Sequence, residues 1–223
     1  MGLFSRAPSS INQEISFLGI EGQLATERCI FTAGTRGADM QICYASDAPE
    51  IDHTTDYQFL SPFERVPSLR HGDFAIAGAR GIIAYLDARG VGIPLTPRKA
   101  RLVGLQNYWI ELAGKLLAPI IQAGETSENS NKKDAQISDY QQAESFIYKL
   151  NSIVEENEFI LGSATLADPQ VCAYIKRLQS KNMLPQECDA IRKWYDRVFG
   201  LIPTELRIKY SAYFTLEKAK KVA

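Results

Sequence analysis

The apolar positions of this chain change period part-way along. Up to about residue 86 they come as short runs between turn signals, and from residue 96 they recur at three- and four-residue spacing. Ile15-Ser16-Phe17-Leu18-Gly19-Ile20 reads as a buried strand stopped by Glu21-Gly22, and Leu24 to Ala33 as a helix with Leu24, Arg28 or Cys29, Ile30 and Phe31 near one side. Asp39 to Tyr44 sets Met40, Ile42 and Tyr44 on one face of a second strand. An acidic, turn-rich connection follows over Ala45 to Thr55, and Tyr57 to Phe63 leads to the most informative stretch, VPSLRHGDFAIAGARGIIAYL from Val66 to Leu86. Val66 precedes a proline, which disfavours helix there, and an X-Pro bond is the kind that adopts cis. His71-Gly72-Asp73 supplies turn chemistry, Phe74 to Ile76 a short strand, and Gly78 a break. Ile82, Ile83 and Leu86 then share one face of a helix that Gly90 can close. Strands and helices in this order predict an α/β unit.

The second half reads as helices. Residues 86–94, with two glycines and a proline, form the expected linker, and Thr96-Pro97 has the chemistry of a helix start. Leu102, Leu105, Trp109, Leu112 and Leu116 follow at helical spacing, and Pro119 is placed to kink the end. GETSENSNKKDAQ, residues 124–136, reads as a solvated loop or a partner-binding insert, after which Ser138 precedes a helix with Phe146, Leu150, Ile153 and Val154 inward. In Phe159 to Asp168, Thr165 can accept from the amide three residues on while the Asp168 carboxylate reaches back, a capping arrangement. Val171, Tyr174, Ile175 and Leu178 continue that helix. Residues 206–223 form a tail whose Tyr210, Tyr213 and Phe214 can pack on the body, and EKAKK suits a solvated end.

Composition narrows the function classes. The chain has 223 residues, 45% of them hydrophobic, enough for a real core. Its 25 Lys plus Arg against 26 Asp plus Glu leave no basic stripe for nucleic acid. Cys29, Cys43, Cys172 and Cys188 have no C-x-x-C or metal-ligand spacing, and His53 and His71 are the only histidines, so no metal site is expected. Reduced thiols and the lack of a run of about 20 apolar residues point to a cytoplasmic chain without a membrane span. Met1-Gly2 is followed by Arg6 where a myristoylation motif has Ser or Thr.

Three motifs together resemble the glutathione S-transferase superfamily. Val66, Pro67 and Leu69 match its V-P-x-L at a cis-proline; Ile82, Tyr85 and Leu86 match the helix that follows. Gly162, Thr165, Ala167 and Asp168 look like its C-terminal capping signature, shorter by one residue, and Trp194, Arg197 and Val198 like its late W-x-x-R-V helix. The resemblance implies an α/β plus all-α architecture: a thioredoxin-like N-terminal domain over 14–88, a helical domain over 95–205, and the tail 206–223. It also implies a homodimer, and a glutathione site at Val66, Pro67, Gly78 and Ala79.

At that site the chain departs from the pattern. Gly78 and Ala79 stand where the family has an acidic or amide residue and a serine, the pair that holds the γ-glutamyl end of glutathione. Matching Arg28 to an arginine of the first helix puts Phe17 at the place of the thiol-activating tyrosine, with Gln23 and Thr26 near the serine or cysteine places. Phe has no hydroxyl for a thiolate. Thr26, as a thiolate donor or a turn cap, and Cys29, as a nucleophile or a core thiol, are the candidate catalytic residues. Arg70, His71 and Arg80 are either surface charge or an anchor for an anion. Retained scaffold with an eroded site favours a GST-fold regulatory or protein-interaction subunit that binds glutathione weakly. The alternatives are an active glutathione transferase with a non-standard site and an enzyme acting on another thiol or an apolar substrate.

Overall fold

The computed structural model describes residues 14–45, 65–92, 94–123 and 133–214. Strand β1 (Ile15–Gly19) is followed by α1 (Leu24–Thr35), β2 (Met40–Tyr44), the hairpin β3 (Ser68–His71) and β4 (Phe74–Ala77), and α2 (Ala79–Arg89). The strands form one sheet in the order β2-β1-β3-β4, with β1 parallel to β2 and antiparallel to β3. This register sets Phe17 opposite both Ile42 and Leu69. Phe17, Leu69 and Met40 are buried, which ties the register to the face they share: a one-residue slip would turn them outward.

The expected helical half consists of α3 (Ala100–Ala123), α4 (Lys133–Glu156), α5 (Ala167–Ser180), α6 (Asp189–Gly200), α7 (Thr204–Lys209) and α8 (Ser211–Phe214). Helix α1 packs on α2 and on α5, so the two halves share one core running from Ile15 to Tyr210. Polar groups seal that contact. Gln170 accepts from Arg28 Nε at 2.7 Å and donates to Thr32 Oγ1 at 2.6 Å. On the other side of α1, Arg36 Nε lies 3.0 Å from Asp87 Oδ1, and the same carboxylate accepts the amides of Leu95 (2.7 Å) and Thr96 (3.0 Å). The connection between the halves is thereby clamped to α2.

Several elements differ from the sequence expectation. Thr96 does not cap α3, which starts at Ala100; its amide is already taken by Asp87. Pro119 lies inside α3, four residues before its end. The buried stripe of α3 is Gln106, Trp109, Ala113, Leu117, Ile120 and Ile121, one position round from the leucines that the spacing selected. Trp109 belongs to both sets; Leu112 and Leu116 are half-buried against the core, Leu102 is half-buried and Leu105 is exposed. Helix α4 begins at Lys133 rather than after Ser138, and the rest of the expected loop, 124–132, lies outside the described residues. So do the connection and lead-in over 46–64, His53, the N-terminal 1–13 and the EKAKK end.

In the cap at Thr165 the Asp168 carboxylate reaches back as expected, and only the partner of the hydroxyl differs. The Thr165 hydroxyl accepts from the amide two residues on, Ala167 (3.3 Å), while Asp168 Oδ2 accepts from the Thr165 amide at 2.8 Å. Asp168 Oδ1 takes the Ile160 amide and the Trp194 indole N–H, both at 3.0 Å, joining the motif to the late helix. The tail is part of the fold as far as it is described. Tyr210 is buried, its hydroxyl accepts the Met40 amide at 2.6 Å, and it lies against β2 at the sheet edge.

Candidate functional site

Three turns of chain meet where the sequence places the site. The Val66-Pro67 bond is cis and enters β3. Because β3 and β4 pair antiparallel with Ser68 opposite Ala77, the chain leaving β4 returns beside Pro67, and the Gly78 amide donates to the Pro67 carbonyl at 2.8 Å. Gly78 has φ 92°, a left-handed conformation strained for a residue with a Cβ, so glycine serves the turn into α2. Val66, Pro67, Gly78 and Ala79 are therefore brought together. Among the described residues no hydrogen bond uses the Val66 amide or carbonyl. The first amides of α2 have no helical acceptor either.

The β1–α1 turn forms the third side. Gly19 allows a close approach: a Cβ there would fall 2.5 Å from Thr26 Cγ2. Thr26 Oγ1 accepts the Ile20 amide at 3.0 Å, and its side chain is buried, which is the turn-capping use of that hydroxyl. Phe17 is 0% exposed and Cys29 is 0% exposed. Cys29 Sγ is directed at the Ala79 carbonyl, 4.0 Å away, and burial pushes its thiol up to about 12, against a smaller opposing pull from Arg28. A thiolate nucleophile needs the opposite shift. Gln23 precedes α1 without a side-chain cap bond.

Of the basic residues singled out, Arg70 donates to the Gly72 carbonyl at 3.1 Å, and His71 Nδ1 lies 2.6 Å from the Tyr85 hydroxyl. Arg70 is tied into the hairpin, and His71 joins the hairpin to α2. Arg80, in the first turn of α2, is exposed and borders a cavity of about 830 Å³ between the halves. Glu27, Gln106 and Gln170, buried polar residues of the interface between halves, were not singled out by periodicity. The readable signal was a glutamine at an inward position of a helix, which a leucine-weighted pattern passes over. Among the described residues no cluster of metal-ligating side chains occurs, and no helix is long and apolar enough to cross a membrane.

No family model matches the sequence, and no curated protein does. Solved structures do. A delta-class glutathione transferase of Nilaparvata lugens is 18% identical over 90% of this chain and 98% of its own, with a TM-score of 0.65. A glutathione S-transferase domain-containing protein of Marinobacter aquaeolei is 23% identical over 82% and 96%, also at 0.65. A glutathione S-transferase-I bound with lactoylglutathione is 17% identical over 90% and 99%, at 0.68. This chain has the glutathione S-transferase fold. Both halves of the GST fold are present, since the alignments span nearly the whole of those proteins. At such identities the likeness is one of backbone architecture. It leaves the chemistry to the side chains described above.

Proposed function

We propose that this chain is a GST-fold protein without ordinary glutathione transferase chemistry, acting as a cytoplasmic regulatory or protein-interaction subunit. The observation that carries the reading is the use already made of Phe17, Thr26 and Cys29 at the thiol position. Phe17 has no hydroxyl and is sealed in the core, Thr26 is bonded to Ile20, and Cys29 is buried against Ala79. Gly78 and Ala79 offer main chain alone to the γ-glutamyl end. A homodimer fits the same reading. Half-buried Leu112 and Leu116 of α3 line a groove of about 490 Å³ with Phe146 and with Tyr108, which is 56% exposed.

A second reading, an active transferase with a backbone-held glutathione, is favoured by one feature: among the described residues no hydrogen bond uses the Val66 amide or carbonyl beside the cis-proline. Calorimetric titration of glutathione decides between them. Two or three missing contacts at roughly 1.5–3 kcal/mol each weaken binding about a hundredfold or more, so millimolar affinity is expected. Ala79→Ser, which restores a hydroxyl at the helix start without touching the left-handed Gly78, is expected to tighten it. Micromolar binding by the unaltered chain, with turnover of an electrophile, would overturn the proposal in favour of the second reading.

A further inference from the structure

Helix α4 carries a second apolar face that the core does not use. Ala143, Phe146, Ile147, Leu150 and Val154 are buried, while Ile137 (55% exposed), Tyr140 (43%) and Tyr148 (41%) lie on the solvent side. Ile137, Tyr140, Glu144 and Tyr148 follow one another at three- and four-residue spacing, so they form one stripe along the helix. Ile137, Tyr140 and Glu144 border a groove of about 390 Å³ together with the buried Ile120 of α3 and with Met183 and Pro185 of the connection between α5 and α6. Tyr148 stands at the end of the stripe, where its hydroxyl donates to Glu187 Oε1 at 2.5 Å. Residues 124–132, which join α3 to α4, carry no apolar side chain to match this groove.

Charge decides what fits there. Among the described residues Glu144 is the only charged side chain bordering the groove, it is exposed, and it forms no ion pair. Glu187 adds a second carboxylate beyond Tyr148, and the neighbouring Arg192 is spent on Asp189 and on the Pro185 and Gln186 carbonyls. A purely apolar partner would strip water from Glu144 and return no countercharge, which is unfavourable. From the exposed stripe, the groove and the unpaired Glu144, we infer that this face docks an amphipathic helix of a partner protein, with apolar side chains in the groove and a lysine or arginine on Glu144. Ile137 to Tyr148 spans about 16 Å, three turns of helix, which suits a segment with apolar anchors at i, i+3, i+4 and i+7. The inference names the partner surface of the protein-interaction reading above and rests on it. The two fail separately, since glutathione titration tests the turn at Val66 and Ala79 and leaves α4 untouched.

The test titrates the full chain into a fluorescein-labelled helical peptide of Leu, Ala and Lys, with leucines at i, i+3, i+4 and i+7 and lysines flanking them, and reads anisotropy. Its control has the same leucines with every Lys replaced by Glu. The chain's net charge of -1 gives little general attraction for cations, so the difference between the peptides reads the acid at the groove. One Lys peptide per chain is expected at micromolar affinity, with the Glu peptide at least about tenfold weaker, the factor that one charge-assisted contact supplies. Glu144→Lys, at an exposed position that leaves the core intact, is expected to weaken the Lys peptide about tenfold or more and to tighten the Glu peptide. Glu144→Gln keeps the shape and removes the charge, and is expected to narrow the gap between the two. Tyr140→Ala, which removes an anchor contact, is expected to weaken both, whereas Leu112→Glu in the α3–α4 groove is expected to change neither. Equal affinity for the two peptides, or no binding of either, would overturn the proposal. So would Lys-peptide binding that Glu144→Lys leaves unchanged, which would put the peptide on another face.

Discussion

Asp168 is the best place to test whether the helical half is held as described. Its carboxylate accepts three buried N–H groups: Ile160 at 3.0 Å, Thr165 at 2.8 Å and the Trp194 indole at 3.0 Å. In Asp168→Ala all three lose their acceptor at once. Each orphaned buried donor costs about 1–3 kcal/mol, and because the three share one site that water can enter, the sum falls short of additivity. About 3–5 kcal/mol is expected, in the range reserved for broken buried networks. Asp168→Asn keeps an oxygen for Ile160 and Trp194 but sets an NH2 against the Thr165 N–H, so it loses one contact and is expected to cost about 1–3 kcal/mol. Urea unfolding followed by Trp fluorescence and by far-ultraviolet circular dichroism measures both, and the shared core predicts that the two probes give one transition. A loss below about 1 kcal/mol for Asp168→Ala, or equal losses for Ala and Asn, would refute the network as the reason this aspartate is buried.

Thiol chemistry gives a second check: Cys43 is exposed while Cys29, Cys172 and Cys188 are buried, so a thiol reagent at pH 8 is expected to label one cysteine in the native chain and four in urea, and fast native labelling of Cys29 would refute its placement. Because the Cys29 thiol is raised from 9.0 to about 12, the neutral form is favoured in the folded state; its contribution to stability is fully present below pH 9 and is lost as pH rises toward 12, and Cys29→Ala is expected to flatten that alkaline decline. For the dimer, Leu112→Glu places a charge in the outer groove of α3 and is expected to convert a dimer to a monomer in sedimentation; a wild-type monomer at micromolar concentration would remove the homodimer from the proposal.

Much of the fold is legible in the sequence because its signals are local. Val66-Pro67, the turn at His71-Gly72-Asp73 and the apolar runs around Phe17 and Phe74 depend on neighbours a few residues away, and they specify a strand–helix unit wherever they occur. The capping residues Thr165 and Asp168 are likewise three apart. Even so, the spacing picked out Trp109 of the buried face of α3 and passed over Gln106 and Ala113. Hydrophobicity alone points to the leucines, whereas packing against α5 puts Ala113 and Gln106 inside, where a small side chain lets helices approach and an amide caps the Leu166 N–H.

What only the tertiary structure decided are the pairings across long separations. Arg36 meets Asp87 from 51 residues away, Gln170 meets Arg28 across 142, and Tyr210 meets Met40 across 170. No local pattern encodes such contacts, since each partner alone reads as an ordinary polar residue and acquires its role when burial removes water from both. The same holds for the site. Sequence showed which groups are missing at Gly78 and Ala79, because absence of a side chain is a local fact. That Thr26 is committed to Ile20 and that Cys29 is shut against Ala79 could be known only once the chain had closed around them.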